Sequence, residues 1–152
     1  MRVLLVDDDS DDLMITKDAF KMAVPHAELI TLNDGDYVAG HLYNESNVLP
    51  DIIFLDVNMP FKNGLECLRE IRTDEKFNGI PVIMLTTSSD EKDIKTAFSN
   101  KATLFITKPV LLEESVTIFR KLFGLDWSTM LLHHDQKRFV LKANGFSKWG
   151  DT

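Results

Sequence analysis

The sequence predicts an α/β fold in which a parallel sheet of five strands is covered by helices on both faces. Three observations lead there. Short apolar runs recur along the chain, among them Arg2-Val3-Leu4-Leu5-Val6 and Ile52-Ile53-Phe54-Leu55, without the alternation of a strand that has one wet face. Each run is followed by a segment with helical spacing, and the loops between them are short, as βα units require. The first and third runs end on acids, Asp7-Asp8-Asp9 and Asp56.

The elements follow in order. After the first strand, Ser10-Asp11-Asp12 supply side-chain oxygens and negative charge to a helix N-terminus, and Leu13, Phe20 and Val24 give that helix an apolar face until Pro25 stops it. Glu28–Leu32 reads as strand two and Asn33-Asp34-Gly35 as its turn. A short helix over about Asp36–Tyr43 runs into a polar loop and then into the third strand, which Asn58-Met59-Pro60 closes. A helix begins at Lys62-Asn63-Gly64 and sets Leu65, Leu68 and Arg72 on one side with Ile71 beside them. Pro81–Leu85 is strand four, ending in Thr86-Thr87-Ser88-Ser89; Asp90–Asn100 is a helix with Ile94, Ala97 and Phe98 inward. Thr103–Ile106 is strand five, ending at Thr107-Lys108-Pro109, and Leu112–Phe123 is a helix with Leu112, Val116, Phe119 and Phe123 on one face. The topology expected is the doubly wound, flavodoxin-like order 2-1-3-4-5.

Bulk properties narrow the function. A chain of 152 residues fits one domain with a short appendage, here residues 1–124 and an extension over 125–152. With 44% hydrophobic and 27% charged residues and no apolar run of membrane-spanning length, a soluble protein without a membrane segment is expected. Met1 leads straight into a strand, so no signal peptide is expected, and the single Cys67 excludes an internal disulfide; together these favour the cytoplasm. A net charge of -7 argues against a non-specific grip on nucleic acid. The extension carries four basic and three acidic residues together with Trp127, Met130, Phe139, Val140 and Leu141. It is too apolar for a linker and too short for a DNA-binding output domain; a packed helical extension or a homodimer contact is expected of it.

In the predicted topology the carboxyl ends of strands one, three, four and five gather Asp7, Asp8, Asp56, Thr86 and Lys108 in the crevice where open α/β sheets place ligands. Three carboxylates so close repel one another unless a cation joins them, and hard oxygen donors favour Mg²⁺. A lysine and a hydroxyl beside that cation suit a phosphoryl group, and a carboxylate can be the nucleophile that accepts it.

These residues resemble the receiver domain of two-component response regulators over about residues 1–124. The likeness rests on Asp7-Asp8 after strand one, the Asp56–Pro60 segment with Gly64, Thr86 after strand four and Lys108-Pro109 after strand five. Among receivers the chain is most similar to the stand-alone, phytochrome-associated subgroup, in its acid-rich Asp7–Asp12 run and the long interval between Asp8 and Asp56. The resemblance implies that Asp56 is the phosphoacceptor, and that Asp8, Asp56 and the backbone carbonyl of Asn58 bind Mg²⁺ with Asp7 assisting. It implies that Lys108 pairs with the phosphoryl group across a cis Lys108–Pro109 bond, and that Thr86 and Phe105 are the switch, Phe105 turning inward as Thr86 moves. Asn58 and Ser88 would flank the path of hydrolytic water. The partners implied are a histidine kinase or histidine phosphotransfer protein and a downstream protein target. Such a protein is a signalling phosphoacceptor that assists its own phosphorylation and dephosphorylation, not a metabolic enzyme. The chain departs from the common pattern at Asn63, where aspartate is frequent, and at Thr87, where a small alanine is usual and a threonine could crowd Thr86.

Rival readings are weaker. An aspartate-nucleophile phosphatase acting on small phosphorylated molecules would carry its general acid two residues after the nucleophile, and Asn58 stands there. A flavin carrier would be repelled by Asp7-Asp8-Asp9. Asp7, Asp9 and Asp11 imitate the start of a calcium loop, but Asp12 and Asp18 stand where glycine and glutamate are needed. Asp9, Asp11 and Asp12 read as capping and solvation residues, Cys67 as a packing residue, and His133-His134 lacks further ligands for a metal site.

Overall fold

The computed structural model describes residues 1–132, 134–147 and 149. Its sheet has the order β2-β1-β3-β4-β5 over Glu28–Leu32, Arg2–Val6, Ile52–Leu55, Val82–Thr86 and Leu104–Thr107, all parallel, which is the predicted doubly wound core. Helices α1 (Ser10–Ala23), α2 (Asp36–Tyr43), α3 (Gly64–Thr73), α4 (Glu91–Ser99) and α5 (Leu112–Phe123) make the crossovers.

Successive side chains of a strand point to opposite faces, and here both faces are covered. Leu4, Val6, Ile53, Leu55, Val82, Met84 and Phe105 pack under α2, α3 and α4. Val3, Leu5, Ile52, Phe54, Ile83, Leu85, Leu104 and Ile106 pack under α1 and α5. On that second face Phe20 stacks on Phe119 at 4.1 Å and meets Phe54 edge-on at 5.1 Å, which fastens α1 to α5 over the middle of the sheet.

Of the stripe predicted for α5, Val116 and Phe119 are buried and Phe123 packs partly buried on the core, whereas Leu112 is 38% exposed; Ser115, Ile118 and Leu122 complete the buried face. A 3-10 turn at Glu75–Phe77, absent from the predicted elements, buries Phe77 under α2.

The extension is the larger departure. It contains the expected helix, α6 (Trp127–Leu132), but then returns as a hairpin, β6 (Val140–Lys142) and β7 (Gly145–Ser147), that widens the sheet to seven strands. Strand β6 runs parallel to β5, with Phe105 opposite Val140 and the Phe105 N–H donating to Phe139 O at 2.9 Å. The edge of β5 is thus paired instead of left to solvent. The two-residue turn of the hairpin is Ala143-Asn144, and Gly145, which opens β7 opposite Lys142, takes φ +120°, a conformation that glycine adopts without strain. Phe139 anchors the hairpin, 5.1 Å from the Phe98 ring and 6.5 Å from Phe105. The His133-His134 pair cannot be judged as a pair, since His133 lies outside the described residues. Among the described residues no helix is long and apolar enough to cross a membrane.

Two predictions test this packing. Phe139→Ala should lower the unfolding free energy by about 3 kcal/mol, as large-to-small changes at fully buried aromatic sites do, read as a lower midpoint in urea; an unchanged midpoint would show that the hairpin is not part of the cooperative unit. A methyl at Gly64 would lie 2.0 Å from Asp56 O and 2.7 Å from the carbonyl carbon of Asp56, both backbone atoms. Gly64→Ala should therefore cost roughly 1–3 kcal/mol in the same assay.

Candidate functional site

Register places the acids. Val6 pairs with Leu55 in adjacent parallel strands, and the Asp56 N–H donates to Val6 O at 3.0 Å, so the next residue of each strand, Asp7 and Asp56, emerge side by side. Asp8 follows Asp7 into solvent, and one carboxylate oxygen from each of Asp7, Asp8 and Asp56 lies within 4.8 Å of the others. Asp7 and Asp56 are buried and Asp8 is exposed, so the cluster is open on one side only.

Lys108 arrives from the end of β5, its backbone N–H donating to Thr86 O at 2.7 Å. Its ammonium donates to Asp7 Oδ2 at 2.5 Å, to Asp12 Oδ2 at 3.2 Å and to Asp56 Oδ2 at 3.5 Å. Asp12 is the residue that sequence reasoning missed. It was read as a capping acid because it sits in the first turn of α1, but Asp9 is the cap there, accepting from Asp11 N and Asp12 N, and the Asp12 carboxylate is left to face Lys108. Every peptide bond among the described residues is trans, so the cis Lys108–Pro109 bond expected from the resemblance is not present. The trans chain already brings Lys108 onto its acids.

The electrostatics follow from burial. Desolvation pushes the Asp7 carboxyl up to about 6, against the Lys108 and Asp9 N–H hydrogen bonds that pull it down, and the charge of Asp56 adds to the rise. For Lys108, burial by itself favours the neutral amine; the hydrogen bond to Asp7 and the charges of Asp56 and Asp7 outweigh it, and its pKa ends above the ordinary value.

Around this centre Asn58 N–H donates to Asp56 Oδ1 at 3.2 Å, and its exposed carboxamide has no acidic proton to give a leaving group. Thr86 is wholly buried, and its Oγ1 accepts from Ser88 N at 3.2 Å. Ser88 in turn donates to Asp93 Oδ2 at 2.8 Å, and Thr107 Oγ1 donates to Ser88 O at 3.2 Å. Thr87 is exposed, so it does not crowd the interior around Thr86. Phe105 already lies fully inside the sheet, opposite Met84 and beneath Phe139, so the inward turn expected of it finds the ring inside before any phosphorylation. Asn63 caps α3, accepting from Glu66 N at 2.9 Å. The apolar cavity of about 310 Å³ between α2 and α3, lined by Val38, Leu42, Cys67, Ile71 and Phe77, contains none of these groups.

Comparison with known proteins agrees with this geometry. The family model described as response regulator receiver domain matches residues 3–120. Response regulator Rcp1 of Synechocystis sp. is 31% identical over 128 residues, covering 82% of this chain and 85% of Rcp1. The phosphorylated cyanobacterial phytochrome response regulator RcpA superposes with a TM-score of 0.74 at 31% identity, covering 84% of this chain and 94% of RcpA. The Mn²⁺-bound form of Rcp1 superposes with a TM-score of 0.73 at 30% identity, covering 82% and 92% of the two chains. The similarity to phytochrome-associated response regulators is thus found in sequence and in fold alike. With the family matched over most of its length and the acids and the lysine gathered at the strand ends, this chain belongs to the response regulator receiver domain family of two-component signalling.

Proposed function

We propose that Asp56 accepts a phosphoryl group from a histidine kinase or a histidine phosphotransfer protein and that the modified chain changes its binding to a downstream protein. The observation that carries this reading is the convergence of Asp7, Asp8 and Asp56 with the Lys108 ammonium in one crevice. A carboxylate oxygen of Asp56 attacks the phosphorus as the phosphorus–nitrogen bond to the donor histidine breaks, and the imidazole leaves with the bonding pair. The aspartyl phosphate so formed keeps its charge next to Lys108, which can leave Asp7 and Asp12 to hold a phosphoryl oxygen. The oxygen donor set of Asp7, Asp8, Asp56 and the Asn58 backbone carbonyl suits a hard divalent cation, and Mg²⁺ is the ion proposed. Such a cation supplies charge neutralisation for the acids and the incoming phosphoryl oxygens.

Switching follows from the hydroxyl. To donate its hydroxyl proton to a phosphoryl oxygen Thr86 must turn toward Asp56, and the bond its Oγ1 accepts from Ser88 N ties that turn to the loop between β4 and α4. Phe105 repacks with it, and because Phe139 lies over Phe105 the movement reaches the hairpin. Residues 1–124 are the receiver in this reading, and the extension over 125–152, whose hairpin β6–β7 adds to the receiver's sheet, is not an output domain. A protein donor is favoured by exposed apolar groups on the loops beside the crevice, Phe61 at 93% and Val110 at 99% exposure.

Incubation with a small phosphodonor such as acetyl phosphate and Mg²⁺, followed by intact-mass measurement, should add one phosphoryl group to the wild type and none to Asp56→Asn. Equal labelling of both would overturn the acceptor assignment. A second prediction concerns pH. The Asp7 carboxyl is raised from 3.8 to about 6, so without a cation its contribution to stability is fully present below about 4 and is lost as pH rises through about 6. Mg²⁺ relieves that loss where Asp7 is ionised. Millimolar Mg²⁺ should raise Tm by a few degrees at pH 7.5 and by little at pH 5, measured by scanning calorimetry.

A further inference from the structure

Where the extension folds back on the receiver it forms one wall of a half-open cavity of about 330 Å³. Arg72, Lys101 and Thr103 line it from the receiver, and Met130, Leu131 and His134 from the extension. Arg72 lies in the last turn of α3 and Thr103 just before β5, so the cavity is at the amino ends of the strands. The five residue steps from Thr103 to Lys108 separate it from the acidic crevice by roughly 16 Å of extended chain.

Its charge is opposite to that of the molecule. The chain carries a net charge of -7, yet among the described residues no carboxylate lines this cavity. Arg72 is half-buried and its bonds go to neutral acceptors only: Nε donates to Lys101 O at 2.9 Å, Nη1 to Phe77 O at 3.1 Å and Nη2 to Thr103 Oγ1 at 3.4 Å. Among the described residues it has no carboxylate partner. Three bonds leave part of the five-donor guanidinium fork unused, and burial lowers its pKa from the usual value, the mark of a charge desolvated without a counter-ion. His134 is held at the cavity by stacking on Phe98 at 3.9 Å, with its Nε2 2.7 Å from Phe98 O.

We infer that this cavity binds a multiply charged oxyanion, a small phosphate- or carboxylate-bearing molecule, between the Arg72 guanidinium and the Lys101 ammonium, with Met130 and Leu131 covering its less polar part and the His134 ring, its Nε2 already given to Phe98 O, forming one wall. A planar guanidinium fork matches carboxylate and phosphate oxygens, and the volume is that of a small-molecule site. Because receiver and extension each contribute lining, an occupant ties α6 to the amino end of the sheet.

The test titrates the full, isotope-labelled chain without divalent cation, using inorganic pyrophosphate and citrate separately, against chloride at matched ionic strength. The expected result is saturable shifts of the Ala102, Thr103 and Met130 amides, with the same Kd in Asp56→Asn, since the cavity is independent of the phosphoacceptor. Binding of pyrophosphate alone identifies a phosphate ligand and binding of citrate alone a carboxylate ligand; either supports the site. Lys101→Asn should weaken binding at least about tenfold, the loss of one or two charge-assisted hydrogen bonds. The variant should remain folded, because asparagine tolerates the φ of +65° at position 101. No saturable shift with either anion, or wild-type affinity in Lys101→Asn, overturns the proposal.

Discussion

The ammonium of Lys108, reaching from the end of β5 to acids on α1, β1 and β3, is the contact on which the rest of the arrangement depends. Parallel pairing of β1 with β3 forces Asp7 and Asp56 to leave the sheet side by side, and Asp8 adds a third carboxylate. Burial in this partly dry crevice raises the Asp7 carboxyl above its ordinary range, and the neighbouring charge of Asp56 adds to the rise. One cation from the protein cannot satisfy all of them. The site therefore remains short of positive charge, a condition that suits the capture of a metal and then of a phosphoryl group.

Both faces of the sheet serve this site. Aromatic packing of Phe20, Phe54 and Phe119 fixes α1, and with it Asp12, relative to β3 and α5. On the other face Gly64 lets the start of α3 approach the backbone of Asp56 so closely that no side chain fits between them. Thr86 and Phe105 lie on neighbouring strands between the acids and the hairpin, and Phe139 packs over Phe105. The extension also forms one wall of the basic cavity at the far end of the sheet, and the two ends of β5 thereby carry opposite charge.

Much of this was legible in the residues. Continuous apolar runs identified the strands to within a residue or so, since a strand buried on both faces has no polar positions to blur its limits. Asp7, Asp8, Asp56, Thr86 and Lys108 could be collected before any coordinates, because the doubly wound order sends these strand ends to one edge. Asp12 could not, since an acid in the first turn of a helix has a sufficient local explanation. Leu112 was placed in the core because periodicity reports which face a residue occupies but not whether the sheet reaches that far.

What the sequence determined by itself was the alternation of strands and helices and the residue types at the strand tips, properties set by local periodicity and by chain order. What only the tertiary structure decided was which acids share the Lys108 ammonium, the pairing of β6 with β5, and the assembly of Arg72, Lys101 and His134 around one cavity. These are contacts between residues far apart in the chain, from 29 residues for Arg72 with Lys101 to 101 for Asp7 with Lys108. Register, helix overhang and the return path of the extension settle such contacts, and no window of neighbouring residues encodes them.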